Sequence, residues 1–425
     1  MLLRMSASNY LSIAGRQELS FIATKLKGPD VALFPIAGTD LEGLPGAVLY
    51  GANASGKTNF VKALNWMCSA VMQSHSRGNP EGGVPRIPFA LDPAIANQPT
   101  ELEADFLVDG VRFQYGFTCD DERYLSEWLY SYPEGKRRKL FERSHDDVEF
   151  GQFFKGPKKL LVELMRPNSL FISTATQNDH AELSRIVRFF RRCEYSSTVS
   201  VAKDLINNTF KKDQIDPRTI TFLKAIGTGV TGYRQFDIEI PEVVKNVIKE
   251  FAGIARKHLG EANFSDDGVV DREKDVMIEL AHRGVGGEDC YLGLERESSG
   301  TRRLILIMNL VFKALDEGSV VIIDELDASL HTHAAEQVLR LFADPEINRN
   351  GSQLIATTHD TNLLNSEWLR RDQIWFCEKD GEGATHLFPL SEIKSRQTDN
   401  FERGYLEGRY GAIPCSTDLS LLLRA

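Results

Sequence analysis

The chain has 425 residues, 42% hydrophobic and 26% charged, with a net charge of −10. These proportions permit a sizeable core, and the acidic balance excludes a protein that coats nucleic acid or anionic membrane by bulk electrostatics. Cysteines at 68, 119, 193, 290, 377 and 415 form no C-x-x-C pair, which excludes a zinc ribbon and points to a reducing compartment. There is no apolar leader and no run of about 18 apolar residues, so a cytoplasmic protein without a membrane span is expected.

In chain order, the first strong signal is residues 46–58. GAVLY is a short apolar run that reads as a strand, and Gly51-Ala52-Asn53-Ala54-Ser55-Gly56-Lys57-Thr58 follows at once. The second piece matches G-x-x-x-x-G-K-[ST], which chance places in roughly 1–2% of chains this long. Phe60, Val61, Leu64 and Met67 then share one helical face. In a strand–loop–helix setting, the glycines let backbone N–H groups face a β-phosphate, and the helix N-terminus adds favourable partial charge. Lys57 is expected to reach the β and γ phosphates, and the Thr58 hydroxyl to ligate Mg2+.

Residues 74–88 read as the most mobile loop. Two hairpins follow, around Asp109-Gly110 and around Pro133-Glu134-Gly135. Residues 151–272 are mostly helical in pattern, broken by Pro157, Pro167, Pro217 and Pro241, with the clearest amphipathic stretch at 241–259. Basic islands interrupt the acidic whole at Lys136, Arg137, Arg138 and Lys139, at Lys155, Lys158 and Lys159, and at Arg185, Arg188, Arg191 and Arg192. They fit either a solvated face or a surface for nucleic acid or an acidic partner. KDVMIELAHR and EDCYLGLE read as strands.

Ser298-Ser299-Gly300 opens a helix whose stripe is Leu304, Ile307, Met308, Val311 and Leu315. Residues 320–323 form a β-branched run typical of a strand buried on both faces, and it ends at Asp324-Glu325. Acids at the C-terminal end of such a strand sit where parallel α/β sheets bind ligands. Asp324 is expected to hold Mg2+, and Glu325 to polarise the attacking water. A further core strand, residues 354–357, ends just before His359, placed to orient that water or sense a γ-phosphate.

This order of pieces resembles the ABC-type ATPase head. GANASGKTNF, MSASNYLSI and FERGYLEGRYGAIP further resemble the stand-alone ABC-type AAA-family ATPases of bacterial anti-phage defence, such as the ATPase subunits of Septu, PARIS, retron-associated and RloA-like systems. The resemblance implies ATP and Mg2+ as cofactors and slow ATP hydrolysis. Gly51, Asn53, Ala54, Ser55, Gly56, Lys57, Thr58 and Asn59 would form the P-loop, and Thr58 with Asp324 the metal site. Glu325 and His359 would be catalytic and Asp327 the D-loop acid. Ser298, Ser299 and Gly300 would form the signature that completes the site of a second copy.

ESSGTRR lacks the second glycine and the glutamine that transporters carry. Gln98 is the one candidate for a Q-loop glutamine. The prolines of 151–272 interrupt any heptad, so the coiled-coil arms of SMC-type relatives are not expected. The fold implied is α/β, with a largely parallel core sheet, an antiparallel β subdomain and an inserted helical lobe. The expected division is 1–150, 151–272 and 273–425. The function implied is a homodimeric sensor or gatekeeper that controls a separate effector, a nuclease or toxin. The 66 residues after His359 are too few for the C-terminal nuclease of OLD-type relatives. The alternative is a DNA-clamping ATPase of RecF or SMC type in repair or maintenance.

Overall fold

The computed structural model describes residues 1–197, 215–247, 249–250, 274–394 and 399–413. In chain order its strands are β1 (Leu2–Ser8), β2 (Gln17–Ser20), β3 (Phe34–Pro35), β4 (Glu42–Gly43), β5 (Gly46–Tyr50), β6 (Thr100–Val108), β7 (Val111–Cys119), β8 (Tyr124–Tyr132), β9 (Arg138–Ser144), β10 (Asp147–Phe150), β11 (Glu194–Ser196), β12 (Val230–Glu239), β13 (Lys274–Arg283), β14 (Asp289–Gly293), β15 (Val320–Ile323), β16 (Gln353–Thr357), β17 (Ile374–Lys379) and β18 (Thr385–Pro389). The main helices are α1 (Lys57–Gln73), α2 (Lys158–Leu164), α3 (Phe171–Gln177), α4 (Ala181–Arg191), α5 (Pro217–Ala225), α6 (Ser299–Glu317), α7 (Thr332–Ala343) and α8 (Phe401–Leu406).

A six-stranded sheet in the order β11-β15-β16-β5-β17-β18 carries the site. All its neighbours run parallel except β17 and β18. Every residue of β5, β15 and β16 is buried, which explains their apolar runs, broken only by the hydrogen-bonded Gln353 and Thr357 at the ends of β16. Successive side chains alternate between two cores. Ala47, Leu49, Val320 and Ile322 face α1 and the seven-stranded sheet. Val48, Tyr50, Val321 and Ile323 face α6 and α7. The fold is therefore mixed α/β with a parallel-rich sheet held between layers.

The seven-stranded sheet is antiparallel, in the order β10-β9-β8-β7-β6-β1-β2. Both hairpins read from the sequence are present. At the first, Val108 pairs with Val111, and Asp109 and Gly110 both have positive φ, as a tight type I′ turn requires. Gln353 ties the two large sheets together. Its fully buried amide accepts from Leu2 N (2.6 Å) and donates to the carbonyls of Leu2 (2.9 Å) and Leu44 (3.0 Å).

Two differences from the sequence reading fall within 151–272. Helices α2 to α5 form there, but so do β11 and β12. The ten-residue β12 pairs along its length with β13, from Val230↔His282 to Glu239↔Lys274. That partner lies far along the chain, so tertiary pairing overrides the local helical impression. β11 is three residues long and exists as an edge of β15. The expected helix over 241–259 is present at 242–247 and 249–250, and the rest of it lies outside the described residues. The loop 74–88 is fastened at several points. Asn168 donates to the carbonyls of Asn79 and Gly82 (2.7 and 2.6 Å), and Val84 N donates to Asp121 O (2.9 Å).

Candidate functional site

β5 runs straight into the glycine loop, and α1 starts at Lys57. Gly56 has φ +108°, and a Cβ there would collide with Thr385 Oγ1. Only glycine fits that backbone and that contact. Lys57 is buried, and its Nζ donates to the loop carbonyls of Gly51 (2.8 Å) and Ala52 (3.1 Å). Burial lowers the pKa of its amine, and the nearby Asp327, Asp324 and Glu325 pull the other way. The buried hydroxyl of Ser55 in the same loop has no hydrogen-bond partner among the described residues.

A chain of hydroxyls braces the loop from behind. Asn59 Nδ2 donates to Ser12 Oγ (2.7 Å), Ser12 Oγ lies 2.7 Å from Thr385 Oγ1, and Thr385 Oγ1 donates to Ser55 O (2.8 Å). The amide expected to face a ligand at Asn59 is thus engaged with the N-terminal segment.

The acids converge on this loop from β15. Thr58 Oγ1 donates to Asp324 Oδ1 (3.0 Å), and Thr357 Oγ1, at the end of β16, donates to the same oxygen (2.7 Å). The Thr357 hydroxyl also accepts from Glu325 N (2.7 Å). Glu325 has φ +57°, a costly conformation for a residue with a side chain. From α6, the buried Arg303 holds it there, donating through Nη2 to the carbonyls of Asp324 (3.0 Å) and Glu325. Asp327 Oδ1 accepts from Thr358 Oγ1 (2.8 Å) and His359 N (3.1 Å), which fixes the histidine's backbone. His359 remains exposed, yet partial desolvation and then the charge of Lys57 lower its pKa from 6.5.

Asn53–Asn59, Glu325, His359 and Lys379 line a cleft of about 540 Å³. The donor set suits a hard divalent cation. A hydroxyl and a carboxylate oxygen 3.0 Å apart match the edge of an octahedron with metal–oxygen bonds of about 2.1 Å.

The other expected residues lie elsewhere. Gly51, Asp324 and Asp327 are hydrogen-bonded to the lining residues Lys57, Thr58 and His359 respectively. Ser298 caps α6, accepting from Thr301 N (3.0 Å), and Gly300 packs against the carbonyl of Ser329. Ser298 and Ser299 are exposed and do not line the cleft. Gln98 is also outside it, its carbonyl taken by Asn9 (2.6 Å) and Arg86 (2.7 Å).

The basic islands are partly neutralised. Arg137 lies over the Tyr130 ring (3.7 Å), Lys139 pairs with Glu149 (2.6 Å) and Arg185 with Asp109 (3.3 Å).

Sequence reasoning missed Ser12, Arg303, Lys379 and Thr385. Arg303 carried a signal, because it falls four residues before Ile307 on the apolar side of α6. Ser12 and Thr385 carried none, since they meet across 373 positions.

No curated protein matches the chain. Among solved structures it is similar to an Smc head bound to the C-winged helix domain of ScpA, at 12% identity over 91% of this chain and 97% of that one, with a TM-score of 0.39. It is also similar to an Smc head with an extended coiled coil bound to the C-terminal domain of ScpA, derived from Pyrococcus furiosus, at 13% identity over 93% and 99%, with a TM-score of 0.38. No helix among the described residues is long and apolar enough to cross a membrane. A family model described as "AAA domain, putative AbiEii toxin, Type IV TA system" matches residues 47–204 and 236–365, well over half of the sequence, and the chain belongs to that family of AAA-domain proteins.

Proposed function

We propose that the chain binds Mg·ATP in the cleft between the glycine loop and β15, hydrolyses it slowly, and uses that cycle to gate a separate toxic effector in anti-phage defence. The observation that carries the ATPase part is the meeting of Thr58, Asp324, Glu325 and Thr357 within one hydrogen-bonded set beside Lys57, in a cleft that His359 also lines. The family's description as a putative toxin of a toxin–antitoxin system supports a toxin–antitoxin or defence setting, and the separate effector is the reading drawn from the sequence.

Thr58 and Asp324 would hold Mg2+, which, when bound, neutralises phosphate charge. Lys57 exchanges two loop carbonyls for phosphate oxygens. The Glu325 carboxylate takes the proton of the attacking water as the bond to the γ-phosphorus forms and the bond to the β-phosphate oxygen breaks. His359, neutral at pH 7 because its pKa is lowered, orients that water without adding charge.

The test is a pair of variants. Lys57→Ala should weaken Mg·ATP binding at least about tenfold, since charge-assisted hydrogen bonds contribute about 1.5–3 kcal/mol each. Glu325→Gln should keep affinity and lower turnover by about 10²–10⁴-fold, the usual reach of general-base help. A folded Lys57→Ala protein with unchanged affinity would remove the site. If the product of an adjacent gene is equally toxic with the wild type and with both variants, the gating role falls.

A further inference from the structure

β17 runs parallel to β5, and its C-terminal end lies beside the glycine loop. A Cβ on Gly51 would strike the Cys377 carbonyl, so the loop is packed directly on this strand. Lys379 is two residues further on and therefore shares a face with Cys377. Its register partner on β18 is Thr385, whose hydroxyl donates to Ser55 O (2.8 Å). Lys379 is exposed and lines the cleft with Asn53–Asn59.

The amine of Lys379 makes no hydrogen bond or ion pair with any described residue. The acids beside it are turned elsewhere. Asp380 pairs with His386 (2.8 Å) and accepts from Glu382 N and Ala384 N (2.9 Å each). Glu378 is on the opposite face of the strand and reaches towards Gly411. The other lysine of the cleft, Lys57, is already bonded to two carbonyls. Lys379 is thus an unpartnered cation at the ligand-binding end of the sheet, in a cleft that also contains the Glu325 carboxylate.

We propose that Lys379 is a second phosphate-contacting residue, which reaches a bound nucleotide's phosphate chain from β17 opposite Lys57. The proposal rests on the nucleotide-binding reading above. It assigns to this site a cation that lies outside the glycine-loop motif and comes from the far end of the chain.

The experiment measures Mg·ATP affinity by calorimetry on the full chain, together with thermal unfolding in the presence and absence of nucleotide. Wild type, Lys57→Ala, Lys379→Ala and Lys379→Arg are compared. Lys379→Ala should weaken ATP binding about tenfold, as expected for loss of one charge-assisted contact. Its melting temperature without nucleotide should equal that of wild type, because the amine holds nothing in the free protein, while the stabilisation by ATP shrinks. Lys379→Arg keeps the charge and should stay within about threefold of wild type.

Three results would overturn the proposal. Lys379→Ala binds ATP like wild type while Lys57→Ala does not. The free Lys379→Ala protein is itself destabilised, so that the lysine is structural. Or ATP affinity is unchanged while association between copies is lost, so that the lysine serves the interface. If wild type and Lys57→Ala bind ATP equally, or not at all, the site reading has failed and Lys379 falls with it.

Discussion

Thr385 shows how much one hydroxyl can organise. It gives its proton to Ser55 O, so it accepts from Ser12, and Ser12, already an acceptor from Asn59, must be the donor in that pair. Every proton in the chain therefore has one direction, and such chains strengthen each bond they contain. Thr385→Val keeps the shape but leaves Ser55 O and the Ser12 proton unpaired in a buried place. The cost should be about 1–3 kcal/mol in chemical denaturation, with Thr385→Ser near wild type. ATP affinity should fall with it, because the brace holds the loop proposed to cradle phosphate. A Thr385→Val protein of wild-type stability would show that the brace is dispensable. Nothing in the sequence announced this role. The glycine loop could be read because its residues are contiguous, whereas Ser12 and Thr385 acquire meaning only when both ends of the chain reach the same loop.

Among elements, α6 has two duties. Its N-terminus presents Ser298 and Ser299 to solvent, and one turn later Arg303 grips the backbone at the end of β15. A rotation of the helix would therefore be felt at Glu325. Replacing Arg303 by Met removes the grip and also the desolvation that lowers the pKa of the guanidinium. Stability should change less than turnover, since exchanging a buried charge for an apolar side chain is often near neutral. Misplacing Glu325 by even about 1 Å should lower kcat about ten- to hundredfold with KM little changed. Equal losses in kcat and affinity would indicate a general unfolding instead. The fully buried strands and the two longest helices were legible. β5, β15 and β16 show as apolar runs because both faces are covered, and α1 and α6 show as stripes. β11 and β12 were not legible, because a three-residue edge and a strand made by a distant partner leave little local pattern.

For the whole molecule, the separation of the signature from the cleft is the informative feature. Ser299 is exposed and outside the cleft of its own chain, which fits a two-fold pair in which each copy completes the other's site. Mixing gives the test. Lys57→Ala and Ser299→Arg chains should each be inactive alone, and a mixed pair should regain activity, because both lesions fall on one composite site. With ATP bound, positions 57 and 299 should cross-link between chains, and absence of that link would remove the two-copy arrangement. The position of β5 has another consequence, which concerns synthesis. It lies between β16 and β17, and its loop is braced by Thr385. When the glycine loop leaves the ribosome, neither of its neighbouring strands exists. They follow roughly 300 residues later, a wait of tens of seconds at about 5–20 residues per second. Until then the strands that flank the loop are missing, and on the proposed function an incomplete chain should not hold nucleotide. Occupancy of this cleft would therefore report that translation has passed its last brace, so that unfinished copies remain outside the nucleotide cycle.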